Sequence, residues 1–222
     1  MLGSIVRFKK AKLPSKRKLI GKYCFLEPID PRKHAKDLFN NFLKDKKNKI
    51  WTYLPYGPFK NYVNFKKWLK SFCLKKDPFF YAIYSMKYKQ FCGMASYLRI
   101  TPEYGVIEVG HINYSPILQN TTAGTETMYL MMKNAFEILG NRRYEWKCNT
   151  LNTPSKNAAK RLGFKFEGVF RQMVITKGRN RDNAWFSIID KEWKKLKKGY
   201  LNFLKSSNFD KNCKQSRKLK LH

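Results

Sequence analysis

Residues 106–139 carry the pattern that most constrains the fold of this chain. Residues 106–114 are rich in branched side chains and predict a strand, which breaks at Ser115-Pro116. From residue 125 to residue 139, apolar residues recur at the spacing of one helix face and predict an amphipathic helix. Residues 144–148 predict the next strand, so this region forms a right-handed crossover between two parallel strands.

The loop between the first strand and the helix is a candidate anion site. Backbone N–H groups at a helix N-terminus lack partners within the helix, and the helix dipole adds positive potential. Residues 119–125 therefore predict a cradle for a pyrophosphate. Glu108 adds a carboxylate on the preceding strand, and a phosphate-bearing cofactor is the first functional hypothesis.

The rest of the chain predicts one α/β domain between two basic flanks. Further strands are predicted at residues 22–27, 79–85, 91–100, 166–176 and 182–189, and further helices at residues 34–42, 61–74 and from Thr153. We expect a basic extension over residues 1–20, a domain over residues 21–193, and a tail over residues 194–222 that is a frayed helix followed by disorder.

Half of the formal net charge of +32 lies in the two flanks. Residues 1–20 hold 7 Lys or Arg and no acid, and residues 191–222 hold 11 against 2 acids. Such flanks attract RNA or other anionic surfaces without reading sequence, through counterion release. The alternative interpretation is a lysine-biased composition with a solvated surface.

Cysteine spacing and hydropathy indicate the compartment. The five cysteines, Cys24, Cys73, Cys92, Cys148 and Cys213, show no spacing of a disulfide framework or zinc site, so we expect no metal and a reducing compartment. No apolar run is long enough to span a membrane, and the N-terminus lacks a secretory signal. We predict a cytoplasmic protein, with a mitochondrial location as the minority alternative.

Three motifs, in their order, resemble the GNAT acetyltransferase superfamily. They are Gln119-Asn-Thr-Thr-Ala-Gly124 between a strand and a helix, Asn152-Thr-Pro-Ser155, and Leu162-Gly-Phe164. The resemblance covers residues 20–193 and is strongest to the branch that acetylates the N-terminal alanine of ribosomal proteins. Glu108-Val-Gly-His111 and the closing residues 179–187 also resemble bacterial and fungal members of this superfamily.

The resemblance implies a mixed sheet that splays at an acetyl-CoA site and is flanked by helices. The pantetheine would pair with strand amides near Ile112 and Tyr114, and the pyrophosphate would bind the loop. The implied cofactor residues are Ile112, Tyr114, Gln119, Thr121, Thr122, Ala123, Gly124, Thr125 and Asn152. Thr122 stands where the family has a glycine, and its Cβ is expected to restrict the backbone of the cradle. Asn152 has an alternative interpretation as a turn residue at a helix start.

Two groups are candidates for the chemistry, Glu108 and Ser155. Strict alternation along the strand puts Glu108 and His111 on opposite faces, so only one of them is expected to line the cleft. We favour Glu108 as the base that deprotonates the amine, with an ion-paired structural carboxylate as the alternative. The family's tyrosine acid falls on Ala159, which leaves Ser155 as the nearest group for the leaving thiolate, although it also suits a helix start.

The predicted function is direct transfer of acetyl from acetyl-CoA to a primary amine, at a protein N-terminus or on a small amine. A ribosomal-protein N-terminus is one candidate acceptor, and a small cationic amine is the weaker alternative because the positive charge of the chain repels it. Trp51, Tyr53, Tyr56 and Phe59 fall in the region that forms the acceptor pocket in this superfamily, although core packing also explains them. The alternative function is an RNA- or ribosome-associated binding module with little turnover, and we expect a monomer or a homodimer.

Overall fold

The computed structural model of the chain describes residues 3–210 and 215–221, where one mixed sheet of eight strands forms the centre. The strands are β1 (Leu19–Ile20), β2 (Cys24–Pro28), β3 (Phe79–Ser85), β4 (Gln90–Thr101), β5 (Val106–Tyr114), β6 (Arg143–Asn149), β7 (Lys165–Thr176) and β8 (Arg179–Ile189). Their order in the sheet is β1-β2-β3-β4-β5-β6-β8-β7. β5 and β6 pair in parallel, whereas the other neighbours pair antiparallel. The predicted α/β class and parallel crossover are confirmed.

Helices cover both faces of the sheet. They are α1 (Pro31–Phe42), α2 (Tyr62–Phe72), α3 (Thr122–Lys133), α4 (Thr153–Arg161) and α5 (Asp190–Phe203). On one face, Leu38 of α1 and Leu69 of α2 enter a core that also holds Phe80. On the other face, α3, α4 and α5 contribute to a larger core around Met131 and Tyr200. No helix in the described part of the chain is both long and apolar enough to cross a membrane.

The central helix α3 begins earlier than the apolar pattern predicts. The Thr121 hydroxyl accepts a hydrogen bond from the Gly124 amide at 3.0 Å, and this cap starts the helix at Thr122 rather than at residue 125. After Lys133 the helix widens into a π-helical turn, Asn134–Ile138. The first turn of α3 therefore contains part of the segment that the sequence assigns to the phosphate loop.

The C-terminal segment begins with a longer and more regular helix than the frayed one that the sequence predicts. α5 extends to Phe203 because Trp193, Leu196, Tyr200 and Phe203 share one face and are buried. The predicted domain boundary at residue 193 thus falls inside a helix. Beyond it, the Asn208 side chain exchanges hydrogen bonds with the backbone of Arg217, and Leu221 is buried against the core. Cys213 and the rest of residues 211–214 lie outside the described residues.

The N-terminal extension packs along the molecule. The Ala11 amide donates to the Pro102 carbonyl at 3.0 Å, and the Lys12 amide donates to the Leu139 carbonyl at 2.7 Å. Leu19 is buried, and it begins the two-residue strand β1, which the sequence pattern did not reveal. Together with the contacts of Phe8 with Arg142 and of Lys10 with Glu103, these bonds attach the basic flank to the domain from residue 8 onward.

Candidate active site

The sheet opens between β5 and β6. The two strands pair from Val106 with Arg143 to Val109 with Trp146, and no pair joins them beyond that point in the described chain. β6 continues instead along β8 as far as Asn149. The edge of β5 that holds Ile112 and Tyr114 is left without a β6 partner, as the predicted pantetheine site requires.

A bulge in β5 overturns the expected separation of Glu108 and His111. The register between β4 and β5 shifts between Met94 and Ser96, and His111 takes the left-handed conformation, with φ of 49°. The extra residue reverses the alternation, so that His111 faces the α2 side of the sheet together with Glu108. The prediction that only one of them lines the cleft is wrong.

His111 is enclosed by aromatic rings. Its Nδ1 lies 3.0 Å from the Tyr56 hydroxyl, and its ring packs against Phe72 and Phe80. Burial lowers the pKa of His111 to about 4, helped by the positive charge of Arg99. The imidazole is therefore neutral near pH 7 and takes part in the site as an uncharged group.

The 51–59 loop forms a wall opposite this histidine. Trp51 is buried against Phe42 and Phe59, which fits the core interpretation of these rings. Tyr53 extends in the other direction, and its hydroxyl donates to the Leu151 carbonyl at 3.0 Å. The loop therefore bridges the α1–α2 side of the molecule to the end of β6.

Glu108 lies in a buried ion-pair network that crosses three strands. Its Oε2 is 2.7 Å from Nη1 of Arg99 and 2.9 Å from Nζ of Lys147. Lys147 also reaches Oε2 of Glu145 at 2.8 Å and lies 3.6 Å from the centre of the Trp185 ring. The ion-paired interpretation of Glu108 is thus present in the structure, and the base role stays a prediction.

The two carboxylates that share Lys147 differ in their acidity. Burial raises the pKa of Glu108 despite the opposing charges of Lys147 and Arg99. Burial also opposes ionisation of Glu145, but hydrogen bonds from Lys147 and Arg143 outweigh it and lower the pKa of that carboxyl. Neighbouring carboxylates with opposite shifts are typical of sites where one group exchanges protons.

Sequence reasoning missed Lys147, although a signal for it exists. In β6, alternation places Tyr144 and Trp146 in the α3 core and puts Glu145 and Lys147 on the face of Glu108. A lysine on that face, beside the strand that carries the candidate base, is expected to pair with it. Lys147 is only 5% exposed, which makes the pairing necessary.

The start of α3 fits an anionic ligand. The amides of Thr122 and Ala123 have no hydrogen-bond acceptor among the described residues, and they point out of the first turn. Nη2 of Arg161 lies 3.3 Å from Oγ1 of Thr125, which brings a guanidinium to the same helix end. A Cβ on Gly124 would lie 2.9 Å from the Leu118 carbonyl oxygen, so the glycine allows the helix to start close to the loop.

Thr122 does not strain the cradle as the sequence suggested. It lies in the first turn of α3, and the left-handed residue of this loop is Asn120, with φ of 57°. Because asparagine tolerates that conformation, the loop closes without a glycine at position 122. The expected restriction of the backbone by Thr122 is therefore wrong.

The remaining predicted residues surround the opening. Gln119 donates through Nε2 to the Tyr114 carbonyl at 2.9 Å, and the Tyr114 hydroxyl donates to the Gly124 carbonyl at 3.0 Å. Asn152 caps α4 by accepting the Ser155 amide at 3.2 Å, as its alternative interpretation predicted. The Ser155 hydroxyl accepts from Nε1 of Trp146 at 3.0 Å, which positions it beside the point where β5 and β6 part.

Two further expectations concern Ala159 and a metal site. Ala159 is fully buried in the α3 core, so the position of the family's tyrosine acid is filled by packing. Within residues 3–210 and 215–221, no three His, Cys, Asp or Glu side chains are arranged to hold a metal ion.

Comparison with known proteins agrees with this geometry. A family model for the acetyltransferase (GNAT) domain matches residues 24–165. A GCN5-related N-acetyltransferase from Brucella melitensis is 38% identical, with a TM-score of 0.93 and coverage of 96% of each chain. A GNAT-family protein from Chromobacterium violaceum is 36% identical, with a TM-score of 0.80 and coverage of 87% of this chain and 96% of that one.

A more distant structure contains coenzyme A. RimL, a ribosomal-protein alpha-N acetyltransferase solved in complex with coenzyme A, is 18% identical, with a TM-score of 0.64 and coverage of 78% of this chain and 99% of that one. At this identity the likeness shows a shared fold. No curated protein matches the sequence.

Proposed function

The chain belongs to the GNAT acetyltransferase family, and from this premise we propose that it transfers acetyl directly from acetyl-CoA to a primary amine. The observation that carries the proposal is the opening between β5 and β6, which has a capped helix start with free amides on one side and Glu108 on the other. A donor bound through this opening would present its acyl group to the face that Glu108 and His111 share.

The donor supplies the acetyl group as a thioester, and the protein binds and orients it. In this proposal the amides of Thr122 and Ala123, with the flanking residues 119–125, hold the pyrophosphate. Amides on the open edge of β5, near Ile112 and Tyr114, pair with the pantetheine as an added strand would. Asn152 keeps its side-chain amide free for the same ligand, because only its oxygen caps α4.

Glu108 is proposed as the group that accepts the proton of the amine, directly or through water. Burial raises the pKa of this carboxyl, which makes it a stronger base than an exposed glutamate. Ser155 is proposed to donate to the departing thiolate sulfur. Its oxygen accepts from Nε1 of Trp146, and its O–H donates to the Cys148 thiol, so in this proposal the hydroxyl turns from Cys148 to the thiolate of CoA.

A protein N-terminus, such as that of a ribosomal protein, is the favoured acceptor over a small cationic amine. The chain carries a net charge of +32, which repels polycations at long range. The named activity of RimL offers an analogy for such an acceptor, on the basis of fold alone. We propose a cytoplasmic enzyme that needs no metal and acts as a monomer or a homodimer.

An acceptor screen with labelled acetyl-CoA tests the function. We expect label in peptides with a free N-terminus and none in the same peptides with a blocked N-terminus. Glu108→Gln should lower kcat about 100-fold or more and flatten its pH dependence, while the Kd for acetyl-CoA stays nearly constant. Unchanged rates in this variant would remove Glu108 from the mechanism. Absence of acetyl-CoA binding by calorimetry at millimolar concentration would overturn the whole assignment.

Two observations favour the alternative, a binding module with little turnover. Ala159 is buried where the family has its tyrosine acid, and Lys194, Lys195 and Lys198 of α5 are exposed. This alternative predicts tight binding of acetyl-CoA and RNA together with no acetylation of any amine. The same screen distinguishes it, because product would then be absent at every acceptor while calorimetry still detects the donor.

A further inference from the structure

A half-buried arginine on β8 faces the acceptor side of the site without a carboxylate partner. Arg181 donates through Nε to Oδ1 of Asn183 at 2.7 Å and through Nη1 to the Tyr53 carbonyl at 3.1 Å. Neither acceptor carries a charge, and no ion pair with a described acid lies within 4 Å of the guanidinium. Burial lowers the pKa of Arg181, as expected for a cation that has lost part of its hydration without gaining a counter-charge.

The cations that surround Glu108 differ from Arg181, because each of them has a carboxylate partner. Arg99 pairs with Glu108, Lys147 pairs with Glu108 and Glu145, and Arg143 pairs with Glu145 and with Glu167. Six charges of this network balance among themselves. Arg181 interacts electrostatically with Glu108 and Arg99, so it belongs to the same cleft and leaves it with an excess positive charge.

Because only two N–H groups of the Arg181 guanidinium are bonded, its other N–H groups remain as donors for a further acceptor. Arginine has five N–H donors in a planar fork, and only Nε and one N–H of Nη1 are used here. The bonds to Asn183 and Tyr53 fix the plane of the group, which lowers the entropy cost of binding a further acceptor. A carboxylate is the anion whose two oxygens match the remaining fork.

The strand register relates this arginine to the point where β5 and β6 part. β5 and β6 part at Trp146, and Asn183 pairs with Asn149, three residues further along β6. At about 3.3 Å per residue, the backbone of Asn183 lies roughly 10 Å along the strand from the parting point, and the Arg181 guanidinium is bonded to the Asn183 side chain. An α-amino acid has its own carboxylate carbon only two bonds from the amine nitrogen, whereas the side chain of the second or third residue of an extended peptide spans this distance.

We propose that the acceptor is a peptide N-terminus with an acidic side chain at its second or third residue, and that Arg181 binds this carboxylate. The inference rests on the proposed acetyltransferase function and names its substrate class. Arg181 then acts as a specificity residue, since it contacts the acceptor away from the reacting amine. Keeping Arg181 half-buried without a counter-charge costs free energy in the free protein. The carboxylate of the bound substrate supplies that counter-charge.

Paired peptides test the proposal. All four peptides share one sequence apart from a single position. In the first pair the second residue is Asp in one peptide and Asn in the other. In the second pair the third residue differs in the same way. For the wild-type protein we expect kcat/KM at least about tenfold higher for Asp in at least one pair, mostly through KM. Arg181→Gln should bring this ratio close to 1, and Arg181→Lys should retain part of it, because charge remains but the fork is lost.

Arg171→Gln is the matched control. Arg171 is an exposed arginine of β7 in the same hairpin, and it interacts with Asp182 rather than with the network. Its loss removes the same unit of charge, and the wild-type ratio should persist. Equal rates for Asp and Asn peptides in the wild-type protein would overturn the proposal, as would an undiminished ratio in Arg181→Gln or a preference for free amino acids over both peptides.

Peptide binding measured by calorimetry in the presence of CoA separates this inference from the proposed function. Tighter binding of the Asp peptide without any turnover would support recognition of an acidic peptide by Arg181 and refute acetyl transfer. Acetylation of both peptides with equal Kd values would retain acetyl transfer and refute the role of Arg181.

Discussion

Lys147 is an ammonium group held between two carboxylates and over the Trp185 ring. It is 5% exposed, and its attraction is the largest influence that opposes the burial of Glu108. The acidity of the candidate base is therefore set by a residue that need not touch the substrate. This arrangement allows the role of the charge to be measured separately from that of the carboxylate.

Lys147→Met removes the charge and keeps an apolar side chain of similar length over Trp185. The pKa of Glu108 already lies above its ordinary value, and without Lys147 it should rise further. Because a base must be deprotonated, activity is lost as the pH falls through this pKa, so the acid limb of the kcat/KM profile should move to higher pH. A profile that does not move would show that the ionisation of Glu108 does not limit turnover.

Glu27 lies outside the active site, and its pKa is lowered, whereas that of Glu108 is raised. Its side chain is 5% exposed and is bonded to Lys18, Lys33 and His34. The Asp30 amide donates to Nδ1 of His34, so Nε2 carries the proton that is donated to Glu27. Burial alone would raise the pKa of Glu27, but these three partners outweigh it and lower the pKa to about 2.

This shift predicts a specific loss of stability in acid. A carboxyl whose pKa is lower in the folded protein stabilises it fully above the unfolded value, and that contribution is lost as the pH falls through the folded value of about 2. Glu27→Gln should lower the free energy of unfolding at pH 7 by up to about 3 kcal/mol, and the difference from wild type should shrink by pH 3. Urea titrations at both pH values measure it.

Glu103→Gln is the control for that experiment, because Glu103 pairs with Lys10 at the surface. It should leave the unfolding transition nearly unchanged at either pH. A loss in Glu27→Gln that is equal at pH 7 and pH 3 would assign the effect to packing instead of ionisation.

At the scale of elements, the start of α3 depends on one close approach. A Cβ at Gly124 would meet the Leu118 carbonyl oxygen at 2.9 Å and Cε2 of Tyr114 at 3.1 Å, and neither the backbone atom nor the hydrogen-bonded Tyr114 ring can yield easily. The Thr121 cap and the Tyr114 hydrogen bond hold the same turn. The position of the free amides therefore follows from the packing of this turn against β5.

Gly124→Ala should displace these amides and weaken acetyl-CoA binding about tenfold, as measured by calorimetry. Thr122→Gly is the comparison, because Thr122 already has helical backbone angles and gains nothing from a glycine. It should change the Kd by less than about threefold. The reverse order of effects would mean that position 122, as in the family pattern, controls the cradle.

The same elements show what the sequence could reveal. Their content of branched and aromatic residues predicted β3 and β5 with the bounds that the structure has. The bulge at His111 could not be found this way, because its left-handed backbone depends on how β4 and β5 pair in three dimensions. That one residue decides whether Glu108 and His111 share a face, so the candidate site was predicted only in part.

Capping and amphipathicity explain the other differences. The Thr121 cap lies in a polar segment whose helical extent is not visible in the apolar pattern, so α3 was predicted three residues short. α5 was read as frayed because its lysines dominate the composition, although Trp193 and Tyr200 carry a buried face. In both cases a local feature, the Thr121 cap or the buried face of α5, was present in the sequence but was hidden by the polar composition around it.

At the scale of the whole molecule, the basic C-terminal segment is both structure and charge. Removing residues 194–222 would take away Leu196, Tyr200 and Phe203 from the core together with the lysines. The truncated chain would then unfold, so its loss of RNA binding would not report on the charge of the segment. Substitution of exposed lysines is the experiment that separates the two.

Lys194, Lys195 and Lys198 of α5 are exposed, and their joint replacement by glutamine preserves the buried face. If these charges contact RNA, the slope of log K against log salt for single-stranded RNA should fall by up to about 2, since each lost phosphate contact removes about 0.7. The matched control replaces Lys46, Lys47 and Lys49, which are also exposed but follow α1. Filter binding over a range of salt concentrations measures both, and equal slopes in the two variants would assign the charge of the segment to composition, leaving solubility as its physical consequence.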